Sequence, residues 1–161
     1  MSSNLTHPAD AAEPGLRQTS GGASGAVAGR YGPLVARILI SQIFLISGLM
    51  KIVDWSGTEA EMAEQGMFWI PFFHVAAMLV ELGAGLSLLL GYEARLGALV
   101  LFLYLIPVTL TFHNFWTYPP EKQRDQMFFF LHNWALMGGL LLVTTYGPGL
   151  WSFDLRRRSS S

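Results

Sequence analysis

The stretch that most constrains this chain is Pro71 to Gly91, PFFHVAAMLVELGAGLSLLLG, 21 residues with a single formally charged side chain, Glu81, at the middle. As a helix rising about 1.5 Å per residue it reaches about 30 Å, the thickness of a bilayer's hydrocarbon core. A carboxylate at that depth costs about 2.5–3.5 kcal/mol on insertion scales, so it calls for a partner or a task. Any fold proposed for the chain has to cross a membrane and deal with Glu81.

The remaining sequence agrees with that requirement. Hydrophobic residues make up 52% of the chain and charged residues 13%, against about 25% charged in a typical soluble domain. The charges crowd between long apolar runs. Net charge is −1 with no broad basic surface, which argues against a nucleic-acid partner. There is no cysteine, which excludes disulfides, thiol redox chemistry, iron–sulfur ligation by the chain's own thiolates and c-type haem attachment. No HExxH, GxGxxG, phosphate loop or Ser-His-Asp arrangement is present, and no metal is expected.

Four apolar runs are long enough to span: 34–53, 71–91, 95–112 and 127–146. The expected fold is therefore all-α, an antiparallel bundle of four transmembrane helices over residues 31–150. Residues 1–30 are rich in Ser, Gly, Ala and Pro and read as a disordered tail. The tail lacks the apolar core of a cleavable signal and is expected to stay attached. Residues 151–161 read as a short basic tail. Between the spans, Asp54–Ile70 and His113–Gln126 read as loops, and Tyr92-Glu93-Ala94 as a connection tight enough to make spans two and three neighbours. Pro107 predicts a kink in span three.

Four spans put both termini on one side, with Arg17, Arg30, Arg37, Arg95, Arg156, Arg157 and Arg158; Lys51, Lys122 and Arg124 lie on the other. Under the positive-inside rule this places the termini in the cytoplasm of a plasma (inner) membrane protein. Trp55, Trp69, Trp116 and Tyr118 fit the outer interface, and Tyr31, Tyr92, Tyr146 and Trp151 the inner one.

Threaded this way, Lys51, His74, His113, His132 and Asn133 all fall in the outer half. Glu81 lies about 10 Å deeper than His74 on the same helix face, since seven residues are nearly two turns. Each residue carries two readings. Lys51 ends its span and is expected to snorkel to the headgroups. His74 and His113 suit either interfacial hydrogen bonds or ligand binding; His132 is deeper, and Asn133 suits an interhelical amide bond. Glu81 reads either as a structural partner of Arg37 or Lys51, or as a proton-transfer or ligand-binding group. His74 and His132 form the best histidine pair for haem, but no local ligand spacing supports them, so haem is not expected. On the opposite face of span two, Gly83, Ser87 and Gly91 make a small-residue stripe suited to helix packing.

Several segments together resemble the DoxX family of four-span membrane proteins. They are Ala36-Arg37-Ile38-Leu39 and Ile43–Lys51 in span one, and Glu81–Gly85 with Leu88–Gly91 in span two. Arg95–Ala98 and Thr111–Trp116 in span three and Phe130–Leu141 in span four complete the pattern. His132 departs from it, because members often carry lysine before the asparagine. The family is named for a subunit of an archaeal quinol oxidase with a linked thiosulfate:quinone oxidoreductase. The resemblance thus implies an accessory subunit of a quinone-linked redox complex. In that reading Glu81 relays protons, His113 or His132 holds a quinone carbonyl, and the partner is a redox subunit or a second copy. A proton-coupled carrier and a non-catalytic scaffold using the Gly83/Ser87/Gly91 stripe are the alternatives.

Overall fold

The computed structural model describes residues 23–158, and the expected disordered tail up to residue 22 lies outside them. Four long helices build the bundle: α1 (Ala23–Val53), α3 (Ile70–Leu90), α4 (Ala94–Phe112) and α5 (Pro120–Tyr146). Two short ones join them, α2 (Trp55–Glu64) and α6 (Phe153–Arg158), with a 3₁₀ turn at Phe115–Thr117. No strand occurs among the described residues. All four long helices are long and apolar enough to cross a membrane.

Three boundaries differ from the sequence reading, each for a local reason. The first helix starts at Ala23, inside the stretch read as tail, and runs through Pro33 for 31 residues. At about 46 Å it is longer than a hydrocarbon core, so its first turns extend past the apolar layer. The segment after α1 folds as α2 instead of a loop. Asp54 caps it, its carboxylate accepting from the Gly57 N–H at 3.1 Å. Only Met62 of α2 is buried, so its acidic sequence carries little apolar signal. The last span begins at Pro120, seven residues ahead of the apolar run. Proline at the first helical position and Glu121 in the first turn both suit a helix start.

The α3–α4 turn is stopped by glycine geometry. Gly91 sits at φ +70°, and the Tyr92 and Gly91 N–H groups donate to Ser87 and Leu88 carbonyls at 3.1 and 3.3 Å. This paired pattern closes a helix C-terminus and favours a residue without a Cβ. The next helix opens at Ala94, and its first N–H groups are capped from far along the chain. Glu93 and Ala94 N–H donate to the Asp154 carboxylate at 2.7 and 3.0 Å. Pro107 lies inside α4, which stays helical on both sides of it.

The core comprises Phe44, Leu88, Ala98, Leu101, Leu105, Met137, Leu140 and Val143. The helices neighbour one another in the order α1, α3, α4, α5. Close approach of α1 and α3 depends on Gly48 and Gly85: a Cβ on Gly48 would lie 2.8 Å from Leu82 Cγ, and one on Gly85 3.2 Å from Leu45 Cδ2. Within the bundle, the Gly83/Ser87/Gly91 stripe is not packed as one face. Gly83 is exposed with nothing near it, Ser87 bonds the Tyr92 carbonyl at 2.6 Å, and Gly91 is the helix stop.

Arg37 is 1% exposed and lies at the end of the bundle that holds α6. Its guanidinium donates to the Leu88 carbonyl at 3.4 Å and to the Trp151 carbonyl. The expected pairing of Arg37 with Glu81 is therefore absent. Arg37 instead fastens α1 to the end of α3 and to the segment after α5.

Candidate functional site

At the opposite end of the bundle, three helices converge on one carboxylate. Lys51 Nζ donates to Glu81 Oε2 at 2.8 Å, to Oε1 at 3.0 Å and to Ser47 Oγ at 2.9 Å. From α4, Tyr104 OH donates to Glu81 Oε1 at 2.7 Å. The Lys51 and Glu81 side chains are 16% and 6% exposed. Ser47 and Lys51 are four residues apart and share a face of α1. Glu81 thus has a cation and three hydrogen bonds, which offset the cost of burying its charge.

The lysine does not snorkel outward, and helix direction explains why. Side chains lean toward the N-terminus of their own helix. The two helices run antiparallel, so Lys51 leans into the bundle while Glu81 leans toward the Lys51 end. The axial gap of about 10 Å between their turns is closed by that mutual tilt.

His74 fixes the backbone from which Lys51 hangs. It is fully buried, and its Nε2–H donates to the Lys51 carbonyl at 3.0 Å, one of the carbonyls that a helix end leaves free. The Trp55 ring lies over it with centroids 4.0 Å apart, and Glu59 Oε1 stands 3.7 Å from Nδ1. His74 therefore locks α1, α2 and α3 together beside the ion pair.

A cavity of about 690 Å³ opens over this group. Ser47, Lys51, Glu81 and Tyr104 form its deep polar end, and Met50, Met62, Met67, Phe73, Val80 and Val108 give it apolar walls. His113 lines it at the end of α4. Its Nδ1 is 2.9 Å from Gln126 Oε1, and its ring lies tilted against Phe129 with centroids 5.4 Å apart. With the glutamine oxygen accepting from Nδ1–H, Nε2 is left as a proton acceptor. Ser47 Oγ accepts from Lys51 and keeps its own proton to offer. The arrangement suits a flat amphipathic ligand carrying hydrogen-bonding oxygens.

Two expected members of the cluster lie elsewhere. Asn133 donates to Thr109 Oγ1 at 3.0 Å and so ties α5 to α4. His132 is exposed on α5 and does not line the cavity. Because His74 is enclosed by α1, α2 and α3, the two histidines do not share a haem cleft. Among the described residues, no three His, Cys, Asp or Glu side chains converge as a metal site would require. Tyr104 and Ser47 are members that the sequence reading missed. Tyr104 is the one residue of its span with a polar tip at mid-depth, and Ser47 stands one turn before Lys51.

Fold and site define a multi-pass membrane protein with a buried ion pair beneath an amphipathic cavity. The chain belongs to the DoxX family, whose profile matches residues 32–114. That match spans every side chain of the Ser47, Lys51, His74, Glu81, Tyr104 and His113 group and stops before His132 and Asn133. Inner membrane protein YqjF of Escherichia coli (strain K12) is 34% identical over 125 residues, covering 76% of this chain and 89% of that protein. Inner membrane protein YphA of the same organism is 29% identical over 123 residues, covering 76% and 88%. Surfeit locus protein 4 homolog of Schizosaccharomyces pombe is 27% identical over 130 residues, 80% of this chain but 38% of that protein. No solved structure matches.

Proposed function

We propose that this protein is a quinone-binding accessory subunit of an inner-membrane redox assembly, with both termini in the cytoplasm. The observation that carries the reading is the cavity: apolar walls for a ring and tail, with the buried group Ser47, Lys51, Glu81 and Tyr104 in its lining and further polar side chains, Asp54, Thr58, Glu61, Thr111 and His113, elsewhere around it. The orientation is supported by the seven-to-three arginine and lysine bias across the spans, and the inner membrane by the names of the two E. coli relatives.

Each residue has a distinct part in this reading. Ser47 donates to one ring oxygen of the quinol, and Lys51, drawn from Glu81, donates to it as well. Releasing Lys51 lets the Glu81 carboxylate take a proton from a quinol hydroxyl, and Tyr104 steadies whichever form results. His113 Nε2 accepts the proton of the hydroxyl at the far side of the ring. The two electrons of the quinol pass to the partner assembly. His132 has no part.

The test is quinone-dependent electron flux in membrane vesicles carrying Glu81→Gln. The reading predicts a fall of about a hundredfold or more, the lower end of the 10²–10⁴ range typical for loss of a proton-transfer group, and an altered pH profile. Unchanged flux and profile would remove Glu81 from the mechanism. Uptake driven by the proton gradient in reconstituted protein that holds no quinone would transfer the same cavity to a carrier.

A further inference from the structure

The opposite end of the bundle contains a second recess, of about 620 Å³, between the start of α4 and the turn after α5. Two carboxylates line it, and both are engaged. Asp154 accepts from the Glu93 and Ala94 N–H groups, and Glu93 pairs with Arg157 at 3.6 Å. Arg95 lines the recess too, and no carboxylate among the described residues pairs with it. Its guanidinium rests against the Gly147 backbone. A Cβ there would lie 3.1 Å from Nη2 and 3.2 Å from Nε, and Gly147 holds φ +89°, a conformation that disfavours any side chain. The turn therefore seats Arg95 at the recess and leaves its donors unclaimed.

The surroundings fix the depth. Arg30 stacks on Tyr31 and Trp151, and Arg157 on Tyr92, the aromatic and cationic belt of a membrane interface. Leu150 in the wall of the recess and Leu96 and Leu99, one and four residues along α4 from Arg95, are exposed apolar side chains. An unpaired planar guanidinium among interfacial aromatic rings, with exposed apolar side chains beside it, fits a phosphodiester with acyl chains attached.

We infer that the recess between Arg95 and the Gly147 turn is a phosphate-binding site that takes the headgroup of an anionic phospholipid. Arg95 binds two phosphate oxygens through its fork of N–H donors. The acyl chains lie along Leu96 and Leu99, and the tail segment 147–158 is held against the membrane surface by the bound lipid.

The experiment uses the full chain purified in mild detergent. Retention of phosphatidylglycerol against phosphatidylcholine is counted by native mass spectrometry, and inorganic phosphate is titrated separately while thermal unfolding is followed. Arg95→Gln is the test variant. Arg124→Gln, the same charge change at the other end of the bundle, is the control. The expected result is a phosphatidylglycerol preference that falls about fivefold in Arg95→Gln, the loss of about 1 kcal/mol for one basic group at a membrane surface, and that persists in Arg124→Gln. Stabilisation by inorganic phosphate that Arg95→Gln abolishes, with no lipid preference, supports the site with free phosphate as its source. Equal lipid preference and equal phosphate response in the wild type, Arg95→Gln and Arg124→Gln overturn it.

Discussion

One stripe of α1 buries two cations, and the two ends of the bundle treat them differently. Arg37 spends its guanidinium on backbone carbonyls of Leu88 and Trp151, closing the turn and tail segments into a rigid end. Lys51 meets a side-chain carboxylate, Glu81, beside a cavity of about 690 Å³. Backbone carbonyls cannot take up a proton or turn away, so the Arg37 end is a fastener. A lysine, a carboxylate, a phenol and a serine can all exchange partners, so the Lys51 end can answer a ligand. The comparison teaches that burial of charge alone does not mark a site; the nature of the partner and the space beside it do.

Removing one partner at each end breaks the comparison most directly. Lys51→Met leaves the Glu81 carboxylate buried without a cation and should cost about 3–5 kcal/mol of stability, read as a fall in detergent unfolding temperature. The double variant Lys51→Met/Glu81→Gln removes both charges and should recover most of that loss. A smaller loss is expected for Arg37→Met, about 2–3 kcal/mol, because it strands acceptors rather than a charge. It should also loosen the α6 segment, seen as faster hydrogen exchange at 152–158, while leaving ligand binding at the other end intact.

Finer changes sharpen the account. His74→Phe keeps the ring under Trp55 but frees the Lys51 carbonyl. It should cost about 1–2 kcal/mol and weaken ligand binding through the displaced lysine, whereas a purely packing role would leave binding unchanged. The smallest effect belongs to Asn133→Leu, about 0.6 kcal/mol, the usual worth of an interhelical hydrogen bond in a membrane. Its measurement is the same unfolding assay, with cavity binding unaffected.

Much of the fold is written in the sequence as hydropathy. Four apolar runs and a three-residue connector give the bundle and its neighbours directly, whereas the helix stop at Gly91, read as part of a packing stripe, emerges only from its left-handed backbone. The α2 helix is harder to see, because four acidic residues from Asp54 to Glu64 mask a segment whose helicity rests on the Asp54 cap and one buried methionine. The early start of α5 is hidden for the same reason in Glu121–Gln126. For the site, Glu81 stands out as an interior carboxylate, and His74 as its neighbour on one face. Choosing between Arg37 and Lys51 takes more than axial distance, since both are about 10 Å away along the axis. The antiparallel lean of Cα–Cβ bonds decides for Lys51. Depth alone groups His132 with the cluster, but depth says nothing of azimuth, and α5 turns that residue outward.

The central claim is that the Lys51–Glu81 pair forms the polar end of a quinone site. The direct measurement is the quinone content of purified protein, by solvent extraction and mass spectrometry, in the wild type and in the charge-balanced Lys51→Met/Glu81→Gln double variant. The account predicts quinone bound to the wild type near one per chain, and at least tenfold less in a double variant that remains folded. Wild-type protein without quinone, or a double variant that keeps it in full, would contradict the account.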